Sequence, residues 1–147
     1  MKILSQRDLQ WSQVKLGISS LTVGRFGCTT TALSMASDYF KCYSSPGIIA
    51  QNNNNYTGQG LIIWKNLNFP CFKFFKREYG KNDIGITIAL KDPNQIVLLQ
   101  VQDGAHWVLG YSKLLLGSYK IADPWFGDIC LASRYKNITG AAYFKRV

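Results

Sequence analysis

The chain reads as an α+β domain, with N-terminal helices packed on a C-terminal antiparallel sheet. Three observations predict this. Apolar residues repeat at helical spacing before Pro93. After it come short β-rich runs at Gln95–Val101, 107–111, 119–122 and 141–144. The runs at 107–111 and 119–122 are close enough in sequence to pair as a hairpin. A length of 147 residues fits one domain covering 1–147.

Taken in order, residues 1–27 are irregular, punctuated by Gly17, Gly24 and Gly27. A helix is expected to start at Cys28 or Thr29, with Leu33, Ala36, Tyr39 and Phe40 forming one apolar stripe. Thr29, Thr30 and Thr31 are available to cap its first turn. Pro46 opens a second, short helix. The asparagines at 52–55 end that helix or form a loop, because Asn competes for its own backbone. A third helix is expected over about 60–67, with Leu61, Trp64 and Leu67 on one face. Asp83 caps a fourth that ends before Pro93. Lys73, Lys76, Arg77 and Lys81, interleaved with Phe72, Phe74, Phe75 and Tyr79, read as a strand with aromatics inward and lysines solvated. Base stacking beside phosphate contacts is the rival account of that cluster.

A hydrophobic fraction of 47% supplies a core, and 17% charged residues argue against disorder. Seventeen basic and eight acidic residues leave a net charge of +9. Such a surface attracts anionic partners: nucleic acid, an acidic wall polymer or an acidic protein. Nothing confines the charge to one stripe, so nucleic acid is the weakest of these. No Cys pair has C-x-x-C spacing, and a single histidine does not complete a usual zinc set. No metal or organic cofactor is expected. Four cysteines permit a disulfide framework by number, but a chain this apolar does not need one. Free thiols in a reducing compartment are expected, with Cys42, Cys71 and Cys130 as small core residues. The start lacks the apolar stretch of a signal peptide, and no run approaches a membrane span. A cytoplasmic or virion-associated location is expected.

The chemistry is carried by three residues. Cys28 stands between Gly27 and Thr29 where helical periodicity begins. A thiol there lies near the positive end of the helix dipole, which favours the thiolate. His106, the only histidine, opens a strand, and Asp123 closes the next one. Pairing His106 with Asp123 across the hairpin puts Val108 opposite Ile121 and Gly110 opposite Tyr119. Cross-strand partners share a face, ~5 Å apart at Cβ. The carboxylate then orients the imidazole, and the imidazole serves the sulfur as base. Gly27 leaves room for a substrate backbone. The Cys28 backbone N–H is one oxyanion donor by position. Gln6, Gln10 and Gln13 are candidates for the second. Individually, each triad residue has an ordinary structural explanation; together they suggest a nucleophile, base and orienter.

The segments that carry these residues resemble the C39-like (bacteriocin-processing-type) branch of papain-fold cysteine peptidases. They are Gln6-Arg7-Asp8-Leu9-Gln10-Trp11 with Leu16-Gly17, then Gly27-Cys28-Thr29-Thr30-Thr31-Ala32-Leu33-Ser34-Met35-Ala36. Ala105-His106-Trp107-Val108-Leu109-Gly110-Tyr111 and Tyr119-Lys120-Ile121-Ala122-Asp123-Pro124 follow in the same order. The resemblance spans about residues 5 to 127 and is loose in the middle. It implies a papain-like fold, Cys28 as nucleophile, His106 as general base and acid, Asp123 as orienting carboxylate and Gln6 as oxyanion-hole glutamine. In transporter-fused members the glutamine lies close before the cysteine; here Gln6 is much farther upstream. The expected activity is hydrolysis of peptide or amide bonds through a thioester, on a peptide, protein or peptidoglycan substrate, acidic ones included. A peptidoglycan-cleaving lysis or virion enzyme, and a non-catalytic binding protein of the same fold, are the alternatives.

Overall fold

The computed structural model describes residues 1–147. Four helices precede or interrupt the strands: α1 Val23–Phe26, α2 Cys28–Tyr39, α3 Pro46–Gln51 and α4 Asp83–Lys91. Six strands follow from β1 Phe72–Tyr79: β2 Gln95–Val101, β3 His106–Lys113, β4 Tyr119–Asp123, β5 Asp128–Leu131 and β6 Ile138–Arg146. They form one antiparallel sheet in the order β1-β6-β2-β3-β4-β5. No helix is long and apolar enough to cross a membrane.

Strand alternation divides the core. Leu98, Leu109, Ala122, Ala142 and Phe144 pack with Leu33, Met35 and Ala36 of α2. Val97, Leu99, Val108, Ile121 and Tyr143 pack with Ile86 and Ala89 of α4. The sheet is therefore covered on both faces. β1 lies before α4 in the chain, so the helices are not all N-terminal to the strands.

Several elements sit where the sequence puts them. Helix α2 begins at Cys28; α3 has Pro46 in its first turn and Ser45 as cap, accepting from the Ile48 N–H. Asn52 ends α3 and starts a 3₁₀ turn. Other expectations need correction. The Thr29–Thr31 hydroxyls do not cap α2; Gly27 occupies the cap position without a side-chain bond. Gly27 is demanded by internal packing, because a Cβ there would lie 2.6 Å from the Val23 carbonyl oxygen. The expected helix over about 60–67 shrinks to a 3₁₀ turn at Trp64–Asn66. Leu61 projects into solvent, so the apolar spacing there does not mark one buried face. Asn82 caps α4, and Asp83 is its first residue. In β1 a bulge between Phe74 and Lys76 breaks the alternation; Phe72 and Phe74 pack inward while Phe75 is exposed.

The expectation of free thiols is also corrected. Cys42 and Cys71 form a disulfide, with Cα atoms 6.0 Å apart, joining the chain just after α2 to the entry of β1. Both remain partly buried against the α2 side of the core. Cys28 and Cys130 are free and half-buried.

Candidate active site

The site begins with the β3–β4 hairpin. Its register is Leu109↔Ala122 and Gly110↔Ile121, then a bulge, then Ser112↔Lys120 and Lys113↔Tyr119. The expected pairings of Val108 with Ile121 and of Gly110 with Tyr119 are therefore wrong by two residues. Extended along the strands, the observed register puts Asp123 opposite Val108, diagonal to His106. Side-chain direction has a period of two, so a two-residue slip preserves the face. His106 and Asp123 still meet, with Nε2 to Oδ1 at 2.9 Å.

Asp123 is fully buried. It accepts from His106 Nε2, from the Trp125 backbone N–H at 3.0 Å, from Arg134 Nη1 at 2.9 Å and from the Tyr135 hydroxyl. Burial pushes the carboxyl up, but these donors outweigh it and hold it down to about 2. Arg134 reaches Asp123 because β5 returns alongside β4 and a 3₁₀ turn follows it. The same guanidinium binds Asp128 through both terminal nitrogens. Asp123, Asp128 and Cys130 lie close enough to suggest a metal set. However, Arg134 already bridges the two carboxylates and fills the place a cation would take.

His106 is buried, its ring 5.1 Å from that of Tyr135. Burial lowers the affinity of the imidazole for a proton. Asp123 and the Cys28 sulfur reverse this, raising the imidazole to about 9. With Nε2 on the carboxylate, Nδ1 is left for the sulfur. Burial pushes the Cys28 thiol up, but the imidazole and the Trp107 backbone N–H beside it bring the thiol below its ordinary value. The sulfur also lies 4.0 Å from the Thr29 hydroxyl. The first turn of α2 carries no acidic side chain to oppose a thiolate.

Gln6 arrives by docking of the N-terminal segment onto the loop after Asp123. Its backbone N–H donates to the Pro124 carbonyl at 2.7 Å, and Arg7 Nε donates to the Trp125 carbonyl at 2.9 Å. The Arg7 guanidinium also lies over the Trp125 ring. Gln6 is buried and lines the hollow that holds Cys28 and His106. Its Nε2 donates to the Gly24 and Val23 carbonyls at 3.2 and 3.5 Å, and its Oε1 has no partner. The amide is thus near the sulfur but committed to α1. Gln10 and Gln13 are exposed and line neither hollow beside Cys28.

Two hollows meet at Cys28. One, of 480 Å³, is walled by Gln6, Phe26, His106, Trp125 and Phe126. The other, of 370 Å³, is walled by Tyr56, Leu61, Trp64, Arg77 and Trp107. Together they form a groove across the N-terminus of α2. A third hollow, of 450 Å³, beside Tyr39, Leu90 and Tyr111 is lined by neither a cysteine nor a histidine.

Arg134 and Tyr135 are site groups that sequence reasoning does not reach. Their only signal is position just after β5, a strand the β-rich runs do not mark. Comparison with protein-family models, with curated proteins and with solved structures finds no match to this chain.

Proposed function

We propose that this protein is a cysteine hydrolase of the papain-like, bacteriocin-processing type, cleaving peptide or amide bonds. The observation that supports it most is that a helix-terminal thiol lines the same hollow as an imidazole already held by a buried carboxylate. His106 takes the Sγ proton, and the thiolate attacks the substrate carbonyl carbon. The new C–S bond pushes the carbonyl π pair onto oxygen. Collapse of that oxyanion re-forms C=O and breaks C–N, while His106 gives its proton to the departing nitrogen. Water then attacks the thioester carbonyl and yields a proton to His106. The C–S bond breaks, an acid leaves and the sulfur regains its proton. The Cys28 backbone N–H stabilises the oxyanion, joined by Gln6 if its amide turns from the carbonyls of α1. Acid–base help of this kind is worth ~10²–10⁴-fold in rate.

The net charge of +9 favours anionic substrates, peptidoglycan stem peptides among them. Wall zymograms set beside assays on synthetic peptides test which is cut. Cys130 provides an internal control for thiol reactivity, since burial pushes it up. Near neutral pH, iodoacetamide should label Cys28 well before Cys130, as read by mass spectrometry. Cys28→Ala should abolish turnover and leave the thermal midpoint nearly unchanged. Turnover retained in that variant removes the mechanism. Equal, slow labelling of both thiols leaves a binding protein.

A further inference from the structure

We propose that Arg77 recognises a carboxylate on the acyl side of the substrate, so that the groove selects peptides acidic before the scissile bond. This rests on the hydrolase reading above.

The groove has a direction. His106 must deliver a proton to the departing nitrogen, so the leaving segment lies in the hollow that His106 lines. The acyl segment then occupies the other hollow, beyond Cys28 and away from the imidazole. Arg77 stands in the wall of that second hollow, on β1. Its guanidinium lies over the Trp107 ring at 4.7 Å and the Tyr79 ring at 4.3 Å. Trp107 follows His106 directly on β3, so the cation sits against the strand that carries the imidazole.

Arg77 has no anionic partner. It joins none of the ion pairs of the protein. Its two terminal nitrogens donate to neutral acceptors, the Glu78 carbonyl and Gln100 Oε1. The nearest carboxylate in sequence, that of Glu78, is taken by Lys76 and Asn82. A guanidinium carries five N–H donors, and these two bonds leave three. Burial without a counter-ion makes this cation harder to hold, pulling Arg77 below its ordinary value. A half-buried, stacked and oriented guanidinium facing a hollow is suited to bidentate capture of a carboxylate. Arg25, by contrast, is exposed in the other hollow and lacks this fixed orientation. The aromatic neighbours Trp64 and Trp107 provide apolar walls that strengthen such a contact by excluding water.

The test uses full-length Cys28→Ala protein and acetylated tetrapeptide pools with a coumarin amide at the C-terminus. Each pool has Glu or Gln at one chosen position. Pools with ordinary L-Glu represent a protein segment, and pools with γ-linked D-Glu represent a wall stem peptide. At one position the acidic pool should bind about tenfold more tightly than its Gln counterpart, an advantage that shrinks with salt. Arg77→Gln in the same background should reduce the ratio to near one. Arg77→Lys, which keeps the stem and the charge, should retain part of it. It carries the test should thermal melts show that Arg77→Gln does not fold. Equal binding of both pools in the Arg77 protein, failure to bind either, or a preference that survives Arg77→Gln overturns the proposal. Hydrolysis of the same pools by protein with Cys28 intact separates the two ideas. Selective binding without hydrolysis keeps the acid site and removes the hydrolase; hydrolysis without selectivity does the reverse.

Discussion

The two sides of the groove are built differently. On the sheet side, Asp123 is fully buried and accepts four hydrogen bonds, and His106 is locked against it. On the helix side, Cys28 is half-buried, its sulfur has a long contact of 4.0 Å with the Thr29 hydroxyl, and the Gln6 amide is turned to α1. Under the proposed hydrolase reading, the contrast follows from what each side would have to do. A carboxylate that only orients can be fully satisfied and left so. A nucleophile and its oxyanion donors must keep free valences for substrate, so that side is left less tied down.

The largest expected way to break the contrast is Asp123→Ala. It strands Arg134, Tyr135 and His106 around an empty place, and loss of a buried charge partner costs about 3–5 kcal/mol. Calorimetry should show a midpoint lowered on the order of 10 °C, and turnover should be nearly lost. Unchanged stability would mean that the carboxylate side is no more demanding than the thiol side. Gln6→Ala probes the opposite side. It should lower kcat by about 10²-fold if Gln6 turns to the oxyanion in the transition state. An unchanged kcat would confine Gln6 to bracing α1.

Arg134→Met sharpens the comparison with a smaller effect. Asp123 keeps three donors, so a loss of about 1–3 kcal/mol is expected. Without the guanidinium the carboxylate pulls harder on the imidazole, and the alkaline limb of the pH–rate profile should move up. A limb that stays put removes Arg134 as a tuner of His106. The mildest perturbation is pH itself. His106 is raised from 6.5 to about 9, so its stabilising bond is fully present below about pH 6.5 and is lost as pH rises through about 9. Asp123 contributes above its ordinary range near 3.9 and loses that contribution as pH falls through about 2. Turnover should therefore decline above about pH 9, where the general acid is gone, while alkylation of Cys28 persists because the thiolate does. Parallel decline of both would break the assignment of separate roles.

What was legible beforehand was local. The helix starting at Cys28 announces itself by apolar spacing and the preceding glycine, and β2, β3, β4 and β6 by β-rich runs. The shared face of His106 and Asp123 could be anticipated because parity along a strand survives a two-residue error in register. The bulge between Gly110 and Ser112, which brings an odd offset near the turn back to an even one, could not, since it depends on how β3 packs. The disulfide Cys42–Cys71 was hidden for a similar reason: cysteine spacing does not say which chain ends will touch.

By itself, then, the sequence determined the periodicities: which residues head a helix, which alternate on a strand and which chemistry they carry. Only the tertiary structure decided that Arg134 and Tyr135 would share Asp123, that Gln6 would reach the groove and that Arg77 would lie beside Trp107 without an anion. Those contacts join segments distant in the chain. Their geometry is set by the packing of the whole sheet, which no short stretch of residues encodes.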